Sequence, residues 1–145
     1  MHDLTIEKDA FILEEKERIS KYYSTNKKKL IGFNQKSDFV NWYMTKLQDE
    51  DCKCHYCETS ILVIRNLLKH GLINGRKVGR GGNGFRGPNL ELDRKDPFGI
   101  YSDENCVLSC YYCNNDKSNT FDYKTYKNIV GPSKKLVWNQ LKKSI

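Results

Sequence analysis

No run of apolar residues in this chain is longer than four, and Ile61-Leu62-Val63-Ile64 is cut off by Arg65. A membrane-spanning helix needs about 20 such residues, so none is expected. The opening Met1-His-Asp-Leu-Thr-Ile-Glu-Lys-Asp9 has no apolar stretch of signal-peptide length, which predicts an intracellular, cytoplasmic protein. Without export, a disulfide framework is excluded for the six cysteines in favour of metal ligands. Apolar residues are also scarce, at 38% with a mean hydropathy of -0.73, so the core is small and needs a staple. Bound zinc would supply one as folding free energy. No internal repeat occurs beyond two Cys-x-x-Cys pairs, which leaves 145 residues for one compact unit with a helical extension at each end.

What the chain does have is positive charge and cysteine spacing. A net charge of +7 and an isoelectric point near 9.1 favour a polyanionic partner. Residues 1–50 read as a helical N-terminal extension, with Ile6, Phe11, Leu13 and Ile19 as core contacts of a first helix. Lys27-Lys28-Lys29 reads as a solvated turn. Ser37 is placed to cap a second helix through Phe39, Val40, Tyr43, Met44 and Leu47. Ile61 to Lys69 predicts a buried helix closed by His70 and Gly71. Between 71 and 88 lie seven of the ten glycines, interleaved with Arg76, Lys77, Arg80 and Arg86. That stretch predicts a mobile basic loop that settles on nucleic-acid phosphates. In residues 123–145, Pro132 opens a last basic helix, with Leu136, Val137 and Leu141 turned inward.

Residues 51–122 carry the chemistry. Cys54-His-Tyr-Cys57 and Cys110-Tyr-Tyr-Cys113 each present two sulfurs from a short turn, and four thiolates can hold one tetrahedral zinc. Because four thiolates leave no open position, that zinc is structural. Cys52 and Cys106 are left over; Cys106 reads as a small buried hydrophobe. His55 reads as a polar turn residue. Leu90-Glu-Leu-Asp93 alternates as a strand with Leu90 and Leu92 inward and Glu91 and Asp93 outward. Asn105-Cys-Val-Leu-Ser109 returns beside it, and a helix begins between Asn114 and Lys117. Closing the zinc site would bring Asp93 towards Asn114, two oxygen ligands suited to Mg²⁺ or another hard divalent cation. A cation so held on a phosphate is the apparatus of a metal-dependent nuclease.

The ordered set Cys-x-x-Cys, Asp93-Arg94, Tyr101, Asn105 and Cys110-Tyr-Tyr-Cys113-Asn114-x-x-Lys117-Ser-Asn119 resembles the zinc-bound HNH nucleases. These form the ββα-metal, or His-Me finger, superfamily of phages and bacteria. The resemblance spans roughly Cys54 to Phe121. It implies an α+β fold, a zinc-stapled ββα-metal core with flanking helices, and hydrolysis of DNA phosphodiesters, with a homodimer as one route to a double-strand cut. It also implies zinc on Cys54, Cys57, Cys110 and Cys113, and the catalytic divalent ion (Mg²⁺ or a similar cation) on Asp93 and Asn114. Asn105 would brace the loop between the strands, and Lys117 would approach a phosphate or the leaving oxygen. One position departs from the pattern. The usual general base is a His after the Asp, and here Arg94 stands there, a group that stays protonated. Family members with a Tyr at the place of Tyr101 make that phenol the substitute base. An unperturbed Tyr is ionised in about one molecule in 10³ at pH 7. Arg94 and a nearby cation would both favour the phenolate; water acidified by the metal alone is the rival. A non-catalytic zinc-stabilised nucleic-acid-binding module is the alternative function, and an RNA-directed nuclease a third.

Overall fold

The computed structural model describes residues 4–82 and 84–145, without the side chains of Leu4 and Arg80. It is an α+β structure whose centre is a two-stranded hairpin running directly into a helix. β3 (Leu90–Arg94) pairs antiparallel with β4 (Cys106–Cys110), Leu90 opposite Cys110 and Arg94 opposite Cys106. α4 (Tyr111–Lys117) follows with no intervening loop. It begins three residues earlier than the sequence suggests, because Cys110 is its N-cap and accepts from the Cys113 N–H through Sγ at 3.4 Å. The Cys-x-x-Cys turn is thus the helix's first turn. Every residue of β4 is buried.

The flanking helices wrap this hairpin. α1 (Leu4–Thr25) buries Phe11, Glu15, Ile19 and Tyr23, a stripe at strict four-residue spacing. Ile6 and Leu13, expected in the core, are 66% and 73% exposed because they lie off that stripe. Glu15 is tolerated inside because it is fully paired: Arg18 reaches it at 2.9 and 2.5 Å and the Tyr43 hydroxyl donates at 2.5 Å. Arg18 also donates to the Leu90 carbonyl at 3.3 Å, tying α1 to β3. α2 (Lys36–Asp49) buries Phe39, Val40, Tyr43 and Leu47. Its N-cap is Gln35, two residues before the expected Ser37, and it has no side-chain cap bond. α3 (Ile61–Lys69) is capped by the Ser60 hydroxyl, which accepts from Leu62 N–H at 3.2 Å, and it ends at Gly71 with φ 70°.

The glycine-rich stretch differs from the mobile loop expected of it. Arg76–Val78 (β1) and Gly84–Arg86 (β2) form a short antiparallel ribbon, with Arg76 opposite Arg86. Ladder hydrogen bonds satisfy the backbone that few side chains could bury.

At the C-terminal end the helix starts earlier than Pro132. Asp122 caps α5 (Tyr123–Thr125), accepting from Thr125 N–H at 2.7 Å. A π turn over Tyr126–Val130 then leads into α6 (Gly131–Lys142). Pro132 has no N–H to donate to the preceding turn, and the register loosens there. Gly131 lets the helix rest on the first cysteine turn, since a Cβ would fall 2.4 Å from the Tyr56 carbonyl oxygen. Leu136 and Val137, expected inward, are 70% and 53% exposed, and Trp138 fills the core instead. Among the described residues no helix is long and apolar enough to cross a membrane.

Candidate active site

The first cysteine turn is built from its own backbone. Cys54 N–H donates to the Thr59 carbonyl at 3.0 Å, and Glu58 N–H donates to the Cys54 carbonyl at 2.9 Å. His55 N–H then donates to the Leu108 carbonyl at 2.9 Å, seating the turn against β4, whose last residue is Cys110. The two pairs therefore meet. The Sγ atoms of Cys54, Cys57, Cys110 and Cys113 all lie within 4.8 Å of one another, and Cys57 to Cys110 is 4.0 Å. A tetrahedron of about 2.3 Å zinc–sulfur bonds has edges of about 3.8 Å, so the cluster is compatible with one zinc. Hydrogen bonds from Cys110 and Cys113 hold the Cys57 thiol well below its usual range, while burial pushes Cys110 up. Cys52 and Cys106 are buried and stand outside this cluster.

Tyr56, inside the first cysteine turn, connects the cluster to the hairpin. Its hydroxyl donates to Asp93 Oδ2. The same oxygen lies 3.3 Å from the ammonium of Lys117, which also donates to the Arg94 carbonyl at 2.9 Å. Asp93 does face away from Leu90 and Leu92, but not towards open solvent: it is 6% exposed, roofed by α4 and Tyr56, and Lys117 is 0% exposed. Burial raises the Asp93 carboxyl above its ordinary range, against the lowering pull of Tyr56 and Lys117. Both of these contacts fall on Oδ2.

Asn114, one residue past the last zinc-site cysteine, donates through Nδ2 to Glu91 Oε1 at 3.0 Å. A carboxylate only accepts, so this bond orients the amide and leaves its oxygen to face elsewhere. Glu91 is itself held by Arg86, at 3.0 and 2.5 Å. Arg86 also lies 4.6 Å over the Tyr111 ring. Its guanidinium fork is therefore committed to Glu91, where the sequence suggested a phosphate contact. Arg76 and Lys77 are exposed on β1, on the outer ribbon. The side chain of Arg80 lies outside the described residues.

The long connection between the strands is braced by Asn105. Its Oδ1 accepts from Asp96 N–H, and its Nδ2 donates to the Asp96 and Ile100 carbonyls, each at 3.0 Å. Arg94 donates to the Gly99 carbonyl at 3.0 Å and stands 4.6 Å over the Tyr101 ring. His55 is not turned to a ligand: it bonds Glu50 at 2.6 Å and the Tyr123 hydroxyl at 2.8 Å.

One cleft of about 670 Å³ has walls that include Arg18, Lys29, Arg86, Glu91, Asp93, Arg94, Tyr101 and Asn114. Four cations against two carboxylates give it a positive balance suited to an anion. Sequence reasoning missed Tyr56 and Glu91. Each carried a signal, Tyr56 by its place between two cysteines of the cluster and Glu91 by its parity with Asp93, yet both looked like surface polar residues.

A β-hairpin that runs into a helix, with four cysteines clamping it and an Asp and an Asn opening on one cleft, is the ββα-metal arrangement; this is an HNH-like fold. Among solved structures, the chain is similar to the rare-cutting HNH restriction endonuclease PacI, described as having an extraordinary mechanism of DNA perturbation. The two are 28% identical, with a TM-score of 0.60 over 82% of this chain and 74% of that one. No protein-family model and no curated protein matches this chain.

Proposed function

We propose that this protein is a metal-dependent HNH-type DNA endonuclease that hydrolyses phosphodiester bonds. The observation that carries the reading is Asp93, a buried carboxylate held on one oxygen by Tyr56 and Lys117, in the same cleft as an Asn114 whose amide is oriented by Glu91. A zinc module that only binds nucleic acid has no use for a buried, clamped carboxylate, which costs folding energy.

Asp93 Oδ1 and Asn114 Oδ1 would hold the divalent cation, a hard oxygen pair suited to Mg²⁺. Such a cation, when bound, supplies positive charge against the charge developing on phosphate and leaving oxygen. The remaining steps belong to the chain's own side chains. Tyr101, as its phenolate, takes the proton of the attacking water while the water oxygen bonds to phosphorus. The opposite P–O bond breaks, and the leaving sugar oxygen is protonated from solvent. Arg94 holds Tyr101 by standing over its ring and adds positive charge to the cleft. Lys117 positions Asp93 and does not itself meet the phosphate, which its burial would prevent. Asn105 keeps the loop bearing Tyr101 in register with the strands. The zinc on Cys54, Cys57, Cys110 and Cys113 is structural. One such centre cuts one strand, so a double-strand cut takes two copies of the chain or two successive visits by one.

The test is conversion of supercoiled plasmid to nicked or linear product with Mg²⁺, Mn²⁺ or EDTA, beside zinc-loaded Asp93→Ala. Metal-dependent cutting that the variant loses is the expected result. Retained zinc with tight, salt-sensitive DNA binding and no cutting under any metal would replace the nuclease with a binding module.

A further inference from the structure

Lys29 belongs to a run of three lysines that the sequence assigns to a solvated turn between α1 and α2. Its stem is exposed, but its ammonium stands 4.6 Å over the Tyr101 ring, the same distance as the Arg94 guanidinium. The Tyr22 hydroxyl accepts from that ammonium at 3.2 Å and holds it there. The backbone next to it is docked as well. Gly32 N–H donates to the Tyr101 carbonyl at 2.9 Å, and Gly32 bridges Ser102 in parallel. The approach is so close that a Cβ on Gly32 would fall 2.3 Å from the Tyr101 carbonyl oxygen. Thus the N-terminal helices do more than cover the hairpin: they deliver a cation to the cleft.

We infer that Lys29 is a positioning residue of the candidate active site, one that with Arg94 holds the Tyr101 side chain as the phenolate that accepts the proton of the attacking water. The inference rests on the nuclease reading above and concerns the same site. Two cations over one tyrosine ring stabilise its phenolate more than its phenol. The charged groups recorded against Tyr101 are Lys29 from the α1–α2 connection and Arg94 from β3, with Tyr22 of α1 reaching it only through Lys29. Burial pulls the Lys29 ammonium down, but Tyr22 and Tyr101 together push it above the ordinary lysine range. Lys29 therefore stays charged over the range in which Tyr101 is asked to work.

The measurement is the pH dependence of kcat/KM for plasmid nicking with Mg²⁺, from about pH 6 to about 9.5, for the zinc-loaded protein, Lys29→Met, Lys29→Arg and Tyr101→Phe. Lys29→Met is expected to lower kcat/KM about three- to tenfold near neutrality, a loss that fades as pH rises and the rising limb is passed, and Lys29→Arg restores the parent profile. Ultraviolet titration of tyrosinate, differenced against Tyr101→Phe, should show a matching displacement to higher pH without any cleavage. A Lys29→Met limb that keeps its place overturns the inference, whether the rate is unchanged, uniformly lower, or lower only through a salt-dependent KM; the last would make Lys29 a phosphate contact. Tyr101→Phe cutting as well as the parent removes the base that Lys29 serves, yet leaves the nuclease standing. No metal-dependent cutting by the parent protein is failure of the nuclease reading itself.

Discussion

Replacing Lys117 by Met asks the most of the site's architecture. The substitution keeps an unbranched stem of similar length in a fully buried position and removes the ammonium 3.3 Å from Asp93 Oδ2. The Arg94 carbonyl loses its 2.9 Å donor at the same time. Removing one partner of a buried ion pair costs about 3 to 5 kcal/mol, mostly because the other charge stays buried without compensation. With an unfolding entropy of about 2.1 cal/mol/K per residue, that lowers Tm by roughly 10 to 16 °C. The loss has a pH signature. Burial already raises the Asp93 carboxyl above its ordinary range, and without Lys117 it rises further. A carboxyl that binds its proton more tightly folded than unfolded contributes stability at low pH. That contribution is lost as pH climbs from about 4 through the folded value. The deficit of Lys117→Met should therefore be larger at about pH 8 than at about pH 5. Urea unfolding of both proteins, zinc-loaded and free of Mg²⁺, would measure it. A deficit under about 1 kcal/mol, or one independent of pH, would refute the buried pair and with it the positioning role of Lys117.

Zinc chelation is expected to unfold the hairpin and helix together, because one cluster joins Cys54–Cys57 to Cys110–Cys113; far-ultraviolet circular dichroism during titration with a strong chelator would follow it. Tyr56→Phe should retain zinc but weaken cutting about tenfold or more, since the lost donor steadies Asp93; zinc analysis beside nicking rates separates the two effects. Asn105→Ala removes three hydrogen bonds of 3.0 Å from the β3–β4 connection, and should lower kcat more than it raises KM because Tyr101 loses its placement. Burial pushes the Cys106 thiol up to about 11, so in the native protein at about pH 8 it should alkylate roughly a hundredfold or more slower than an unperturbed exposed thiol, by mass spectrometry.

Much of the site was legible because its chemistry is written in short spacings. Two Cys-x-x-Cys turns, an Asp closing an alternating strand and an Asn after the last cysteine identify themselves by residue type and separation alone. Asn105 hydrogen-bonds across the β3–β4 connection. Helix boundaries were less legible, since a cysteine capping α4 and a glutamine before α2 are not the usual caps.

Periodicity separated Leu90 and Leu92 from Glu91 and Asp93 in β3, but Asp93, expected outward, is buried and Leu92, expected inward, is only partly so, because periodicity says nothing of what covers a face. Asp93 and Lys117 would each be read as exposed, and only the packing of α4 and Tyr56 over β3 buries them as a pair. Likewise local sequence offered Arg86 only as one cation of a basic loop and gave no reason to single out Lys29. Pairing of β1 with β2 positions Arg86 against Glu91, and docking of Gly32 on Tyr101 brings Lys29 over the ring. The sequence by itself determined the four-cysteine cluster and the candidate site residues, since each is specified by residue type and spacing within a few positions. Which charges are buried, paired or aimed at Tyr101 was decided by contacts between distant segments, and those exist only once the chain has folded.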